Sequence, residues 1–292
     1  MSFTGCGTAI VTPMRGDGAL DLEALRRLVE WQIAEGIDFL VPCGSTGEAQ
    51  TLTPLERETV VRTVVETTAG RVPVVAGATD NDTRRAVDET KAMCALGVQG
   101  ILSATPYYNK PTPGGLRLHF EAVAEASTVP VILYNVPGRT GLNMRPDTVL
   151  ALAAHPRIAG IKEASGDLLQ AVAILADRPE GFVVLSGEDA LTVGLVACGG
   201  DGLISVTSNE VPGPMTEMVR AARTGDLATA RALLYRLLPL IDANFVETNP
   251  GPVKAALHLM GRIENVLRLP LVPVSEATTA RLRGALARAE AP

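Results

Sequence analysis

Lysine is scarce in this sequence, and the scarcity singles out one residue. Of 26 Lys and Arg residues only four are lysines: Lys91, Lys110, Lys162 and Lys254. Lys162 closes the apolar run Ile158-Ala159-Gly160-Ile161. A desolvated lysine loses its proton and attacks a carbonyl as a neutral amine, chemistry closed to an arginine guanidinium. The competing explanation is a buried structural ion pair with Glu163 or Glu48. Lys91, in a charged helical pattern, and Lys110, in a Pro-rich loop, read as solvated cations. Lys254, after Pro252 at a helix start, carries little weight. Tyr134 ends the preceding apolar run, so its phenol can move protons for an amine at position 162; a satisfied core tyrosine is the alternative. Gly44-Ser45-Thr46-Gly47 offers two hydroxyls and closely spaced backbone N–H groups suited to a carboxylate, although many turns share this composition. Arg139, after the turn segment that follows Tyr134, is a guanidinium able to clamp a second carboxylate. His119, His155 and His258 do not cluster with carboxylates, so no metal site is expected.

Eight short apolar runs must position these groups: Thr8 to Val11, Phe39 to Pro42, Pro73 to Ala76, Gly100 to Ser103, Pro130 to Tyr134, Ile158 to Lys162, Phe182 to Leu185 and Gly202 to Val206. Helical patterns separate them, including Leu22 to Ala34, Pro54 to Ala69, Thr83 to Leu96 and Gly115 to Ser127. The runs are nearly continuous in hydrophobicity, as in parallel strands covered on both faces. Eight such units predict an α/β chain folded as a (β/α)8 TIM barrel, whose chemistry lies at the C-terminal strand ends. An open doubly wound sheet is the second choice; against it, no G-x-G-x-x-G follows a strand, and the glycines around Gly200 precede one. The barrel is placed at residues 1–224. Residues 225–292 are read as a helical appendage packed on it, with Asp226 as an N-cap and Pro250 and Pro252 in the first turn of a later helix.

A formal net charge of −6 over 292 residues, without a basic run, excludes the electrostatic footprint of a nucleic-acid binder. No stretch is long and apolar enough for a membrane span and no signal-peptide pattern opens the chain, so a cytoplasmic protein is expected. Cys6, Cys43, Cys94 and Cys198 lack paired spacing and are expected to be buried, reduced thiols.

Five motifs in order resemble the dihydrodipicolinate synthase and N-acetylneuraminate lyase superfamily of pyruvate-dependent barrel lyases. They are Gly44-Ser45-Thr46-Gly47-Glu48, Pro106-Tyr107-Tyr108-Asn109-Lys110-Pro111, Tyr134-Asn135-Val136-Pro137-Gly138-Arg139-Thr140, Ile161-Lys162-Glu163-Ala164-Ser165-Gly166 and Gly202-Leu203-Ile204-Ser205-Val206-Thr207. The likeness spans Gly7 to Lys254. It implies a class I lyase without a cofactor, in which Lys162 forms an imine with pyruvate and Tyr134 relays protons with Ser45 and with Tyr108 from a neighbouring subunit. It further implies that Thr46 and Ser45 cradle the pyruvate carboxylate, that backbone at Gly187 and Ile204 lines the pocket, and that the assembly is a homodimer or homotetramer. The Asn135 to Thr140 segment resembles the dihydrodipicolinate synthase branch, where the arginine matching Arg139 holds the carboxylate of aspartate semialdehyde. Sialic acid lyases lack that arginine as a rule. A 2-keto-3-deoxy sugar acid or N-acetylneuraminate-type aldolase is the rival within the superfamily, and a non-enzymatic keto-acid-binding regulatory barrel the rival outside it. The chain departs from the branch in two places. Ser45 stands where threonine is common, keeping the hydroxyl. At the cleft where lysine-inhibited relatives bind the amino acid, Pro54, Arg57 and Arg85 replace histidine and glutamate while Asn81 and Tyr107 are kept, which predicts weak feedback inhibition.

Overall fold

The computed structural model describes residues 3–289. Eight parallel strands form one sheet: β1 (Gly5–Thr8), β2 (Phe39–Leu40), β3 (Val75–Gly77), β4 (Gly100–Ala104), β5 (Val131–Asn135), β6 (Ile158–Glu163), β7 (Val183–Ser186) and β8 (Gly202–Ser205). Their order is β2-β1-β8-β7-β6-β5-β4-β3, and the parallel bridge Leu40↔Val74 joins the two outer strands. The sheet is thus rolled shut, and the expected TIM barrel is the fold.

Strand residues alternate between two apolar layers. Phe39, Val41, Val75, Leu102, Ile132, Leu185 and Ile204 fill the barrel interior. The opposite faces join the larger core beneath the helices. That double burial explains why the strand sequences read as continuous apolar runs. One close approach requires a glycine: a Cβ on Gly7 would sit 2.1 Å from the Phe39 ring, which occupies the barrel floor.

The helices begin where side chains can satisfy their open N–H groups. Asp21, Asp82, Thr112, Asp167 and Asp226 each accept from a backbone N–H of the following turn, and Thr53 with Glu56 forms a reciprocal capping box ahead of Pro54. After helix Pro212–Arg223 come helices Leu227–Ala243, Gly251–Leu259 and Glu276–Ala289, the first of which packs on both Pro212–Arg223 and Glu276–Ala289. Asp226 is the N-cap that the sequence predicts, accepting from Thr229 N at 3.1 Å.

Two sequence-based expectations need correction. The first strand is Gly5–Thr8, not Thr8 to Val11: Gly5 to Thr8 pair with Gly202 to Ser205, while Val11 N donates to Asn209 Oδ1 and Thr12 Oγ1 to Gly47 O, outside the sheet. Cys198 is exposed and Cys94 only partly buried, whereas Cys6 and Cys43 are buried as expected. Cys198 is the residue that ends helix Thr192–Ala197, so its side chain leaves the packed face. Lys254 is fully buried, for a reason set out below.

Candidate active site

Lys162 and Tyr134 are directly paired across β5 and β6. Their side chains therefore project to the same side of the sheet, into the barrel. The Lys162 ammonium nitrogen lies 4.5 Å from the centre of the Tyr134 ring. Gly187, just past β7, makes room for it: a Cβ there would come within 2.9 Å of Lys162 Cε.

Neither carboxylate considered as an ion-pair partner for Lys162 is paired with it. Glu163, the next residue on the strand, faces the other way and accepts from Asn135 Nδ2 at 3.1 Å, Ser165 N at 2.7 Å and Gln170 Nε2 at 3.2 Å. Glu48 is taken by Lys254, with Nζ 2.6 Å from Oε1. Among the described residues no carboxylate lies within ion-pair distance of Lys162, which is only 5% exposed. Burial pushes its pKa down to about 8, with the negative charges of Asp189 and Glu188 pulling weakly the other way. Desolvation also pushes the Tyr134 phenol up to about 12, against the Arg139 charge and a hydrogen bond with Ser45. The pair is thus an amine that gives up its proton readily beside a phenol that keeps its own.

Above them lies the loop Gly44 to Glu48. It is folded on itself by Gly47 N donating to Gly44 O at 3.0 Å and Glu48 N donating to Ser45 O at 3.1 Å. Cys43 and Glu48, at φ 57° and 53°, sit in the left-handed region, and Gly77 lets β3 approach, since a Cβ there would lie 2.1 Å from Cys43 O. Those turns use the amides of Gly47 and Glu48. The amides of Ser45 and Thr46 have no acceptor among the described residues, leaving two adjacent donors for an anion. Arg139 reaches the same space from the short helix Pro137–Thr140 after β5, its Nη2 donating to Asn249 O at 3.1 Å.

These groups line two connected spaces. An inner cavity of about 60 Å³ is bordered by Lys162, Tyr134, Ser45, Thr46, Gly187 and Arg139. An outer one of about 300 Å³ shares Ser45 and Arg139 and is also bordered by Tyr107 and Leu271. Six of the eight site residues read from the sequence therefore meet. Ile204 is fully buried in the barrel interior with Tyr134, and Val206, two residues on, borders the inner cavity instead. Tyr108 borders neither cavity; it is 88% exposed and held at φ 70°. The sequence did not point to Asn249, which borders both spaces, nor to the role of Lys254. The one available signal was that Lys254 is among only four lysines.

The chain matches the Dihydrodipicolinate synthetase family over residues 2–289. A 4-hydroxy-tetrahydrodipicolinate synthase from Koribacter versatilis is 54% identical over 290 residues, 99% of this chain and 97% of that one. The chain belongs to the dihydrodipicolinate synthetase family. Solved structures of the family agree throughout. The dihydrodipicolinate synthase of Thermotoga maritima superposes with a TM-score of 0.97 at 45% identity, covering 99% of both chains. The chloride-inhibited enzyme of Acinetobacter baumannii, complexed with pyruvate, gives 0.97 at 43% identity, again over 99% of both. Membership makes the chain an enzyme of the class I, pyruvate-dependent lyases, as the five motifs imply, and extends the likeness beyond Gly7 to Lys254 at both ends.

Proposed function

We propose that this enzyme condenses pyruvate with L-aspartate 4-semialdehyde to give 4-hydroxy-tetrahydrodipicolinate, a step of lysine and diaminopimelate biosynthesis in the cytoplasm. The observation that carries the reading is Lys162: a buried amine over the Tyr134 ring, with no carboxylate partner among the described residues, below two backbone amides that have no acceptor among them. The neutral amine attacks C2 of pyruvate and water leaves, giving the imine. The amides of Ser45 and Thr46 hold the pyruvate carboxylate. Loss of a C3 proton gives the enamine, whose C3 attacks the aldehyde carbon of the second substrate while Arg139 grips that substrate's carboxylate. The α-amino group of the second substrate then attacks C2, the ring closes and Lys162 departs as the free amine.

Proton traffic runs through Tyr134 and its Ser45 partner. Tyr108 of a neighbouring copy completes the relay, which accounts for an exposed tyrosine held in a left-handed backbone conformation that β-carbon sterics disfavour. The working form is accordingly a homodimer or homotetramer.

The acceptor is tested by following pyruvate consumption with aspartate semialdehyde against sugar-derived aldehydes. A preference for aspartate semialdehyde is expected; a preference for a sugar aldehyde moves the chain to the sugar-acid aldolase rival. Imine formation with pyruvate is also expected to depend on pH. The Lys162 pKa is lowered, so the reactive neutral amine is the high-pH form, and the rate of trapping climbs as pH rises through about 8 and levels off above it. Tyr134 stays protonated across that window, its pKa lying at about 12. A rate already flat from pH 6 upward contradicts the assignment.

Feedback by lysine is expected to be weak. Pro54, Arg57 and Arg85 border a surface cleft of about 480 Å³ that also carries Glu58, Asp80, Asp88 and Glu89, with Arg57 bound to Glu89 at 2.6 Å. Arg85 places a cation where lysine-inhibited relatives carry a carboxylate, so that position opposes an incoming ε-ammonium. Millimolar lysine should leave the rate nearly unchanged, and strong inhibition in a steady-state assay contradicts this.

A further inference from the structure

Behind the cavity wall formed by the ends of β7 and β8 runs a buried polar chain that the proposed reaction does not use. Asp189, two residues after Gly187, accepts on a single oxygen, Oδ2, from Val206 N at 3.2 Å, Thr207 N at 3.1 Å and Thr207 Oγ1 at 3.0 Å. It thereby ties Gly187 and Glu188 to Val206, and all three border the inner cavity. On the far side Asn244, just past helix Leu227–Ala243, donates through Nδ2 to Thr207 Oγ1 at 3.2 Å and to Glu210 Oε2 at 2.7 Å. Asp189, Thr207, Glu210 and Asn244 are all buried, none more than 2% exposed.

The chain thus holds two carboxyl groups, and no cation among the described residues acts on Glu210 to offset its charge. Ionising both groups in a dry interior is costly, and the proton goes to the one with fewer donors. Asp189 accepts three hydrogen bonds and Glu210 one. Glu210 Oε1 and Asn244 Oδ1 are moreover buried acceptors without a partner in the protein. What this end of the chain lacks is a donor, and a proton on Glu210 supplies it. Burial holds the Glu210 pKa well above its ordinary value, with the Asn244 hydrogen bond opposing and the Asp189 charge adding to the rise. Burial raises Asp189 as well, against its own hydrogen bonds. Of the elements packed on this turn, β1 brings Cys6, a thiol that burial keeps protonated, and helix Gly251–Leu259 brings Lys254, already paired with Glu48. Helix Pro212–Arg223 leaves Glu217, Arg220 and Arg223 exposed.

We infer that Glu210 is a positioning residue, held as a neutral carboxylic acid, that acts through Asn244 and Thr207 to keep Asp189 ionised behind the cavity wall and so sets the pH at which Lys162 becomes reactive. This rests on Lys162 as the imine-forming amine. The groups whose charge bears on that amine are Asp189, Glu188 and Arg139, with the Tyr134 ring beneath it. With Glu210 neutral, Asn244 is free to fix the Thr207 hydroxyl, which then donates to Asp189. An Asp189 that loses this donor binds a proton more readily, and its charge no longer favours the ammonium form of Lys162.

The test combines infrared spectra at neutral pH with the pH profile of borohydride trapping by pyruvate. Wild type should show a protonated carboxylic acid carbonyl band that Glu210→Gln lacks. Glu210→Gln keeps a neutral group of the same shape and should keep the trapping midpoint near the Lys162 pKa of about 8 and wild-type kcat/KM for pyruvate. Glu210→Met and Asn244→Leu each break the chain without opening a cavity. Both should move the midpoint to lower pH, in the direction of Asp189→Asn, and lower kcat/KM for pyruvate about ten- to hundredfold through displacement of the wall. If one of the two fails to fold, the other decides. A band unchanged in Glu210→Gln shows an ionised Glu210 and overturns the inference. So does a Glu210→Gln midpoint displaced as far as that of Glu210→Met, or a wild-type profile in a folded Glu210→Met or Asn244→Leu, which leaves the chain as packing alone. A wild type that pyruvate and borohydride do not label overturns the Lys162 assignment and the effect on it, while the infrared band still decides the protonation of Glu210.

Discussion

Lys162→Ala is expected to lose condensation activity by about 10⁴- to 10⁶-fold, the range seen when a covalent nucleophile is removed from a site whose other parts survive. Lys162→Arg should be equally inactive although it keeps a cation, because a guanidinium cannot shed its proton to attack a ketone. The loss should not be a folding defect. Lys162 makes no ion pair among the described residues, its burial opposes the charged form, and it borders the inner cavity. Steady-state turnover together with a urea unfolding curve checks both halves. The expected result is an inactive variant with an unfolding midpoint no lower than wild type. Residual activity within tenfold of wild type would falsify the nucleophile assignment.

Lys254→Met is the second large effect, and its signature is the reverse. Lys254 and Glu48 are both fully buried, with Nζ also donating to Thr12 O at 3.0 Å. Removing one member leaves a buried carboxylate without its counter-charge, a change that costs about 3–5 kcal/mol in comparable cases. The double variant Lys254→Met with Glu48→Gln should recover part of that loss, since no uncompensated charge remains. Because Glu48 ends the Ser45 and Thr46 loop, and its carbonyl accepts from Thr51 Oγ1 at 3.0 Å, the single variant should also raise the KM for pyruvate. Chemical denaturation of the single and double variants measures the coupling. An unchanged midpoint in Lys254→Met contradicts the bracing role.

The two lysines differ in the way that would separate the proposed nucleophile from a structural cation in one fold. Burial lowers the pKa of both. For Lys254 the adjacent Glu48 carboxylate draws the proton back; for Lys162 no carboxylate among the described residues is within ion-pair distance. That difference was invisible along the chain, since the Lys254–Glu48 contact spans 206 residues and every other lysine is nearer to Glu48 in the sequence. The reactive group, its tyrosine and the carboxylate loop were legible because barrel geometry sends strand-end residues to a common mouth. Asn249 was not, since it belongs to the C-terminal segment and reaches Thr46 and Arg139 only through tertiary packing.

Strand limits moved for local reasons. Gly5 and Gly7 discourage a strand reading, yet Gly7 is what admits the Phe39 ring, and Gly202 is what lets β8 approach β1, since a Cβ there would lie 2.0 Å from Gly5 O. Conversely, the β-branched Val11 and Thr12 favour a strand on propensity but serve the loop above it, where Thr12 Oγ1 donates to Gly47 O at 2.7 Å. Packing of the barrel outweighed residue preference at both ends of that run.

The central claim is that one uncharged amine bonds covalently to a keto acid, and peptide mapping after borohydride reduction in the presence of pyruvate tests it most directly. The label should appear on the peptide that contains Lys162 and on no peptide that carries Lys91, Lys110 or Lys254. Label on one of those three lysines, or none at all in protein that consumes pyruvate, would contradict the account.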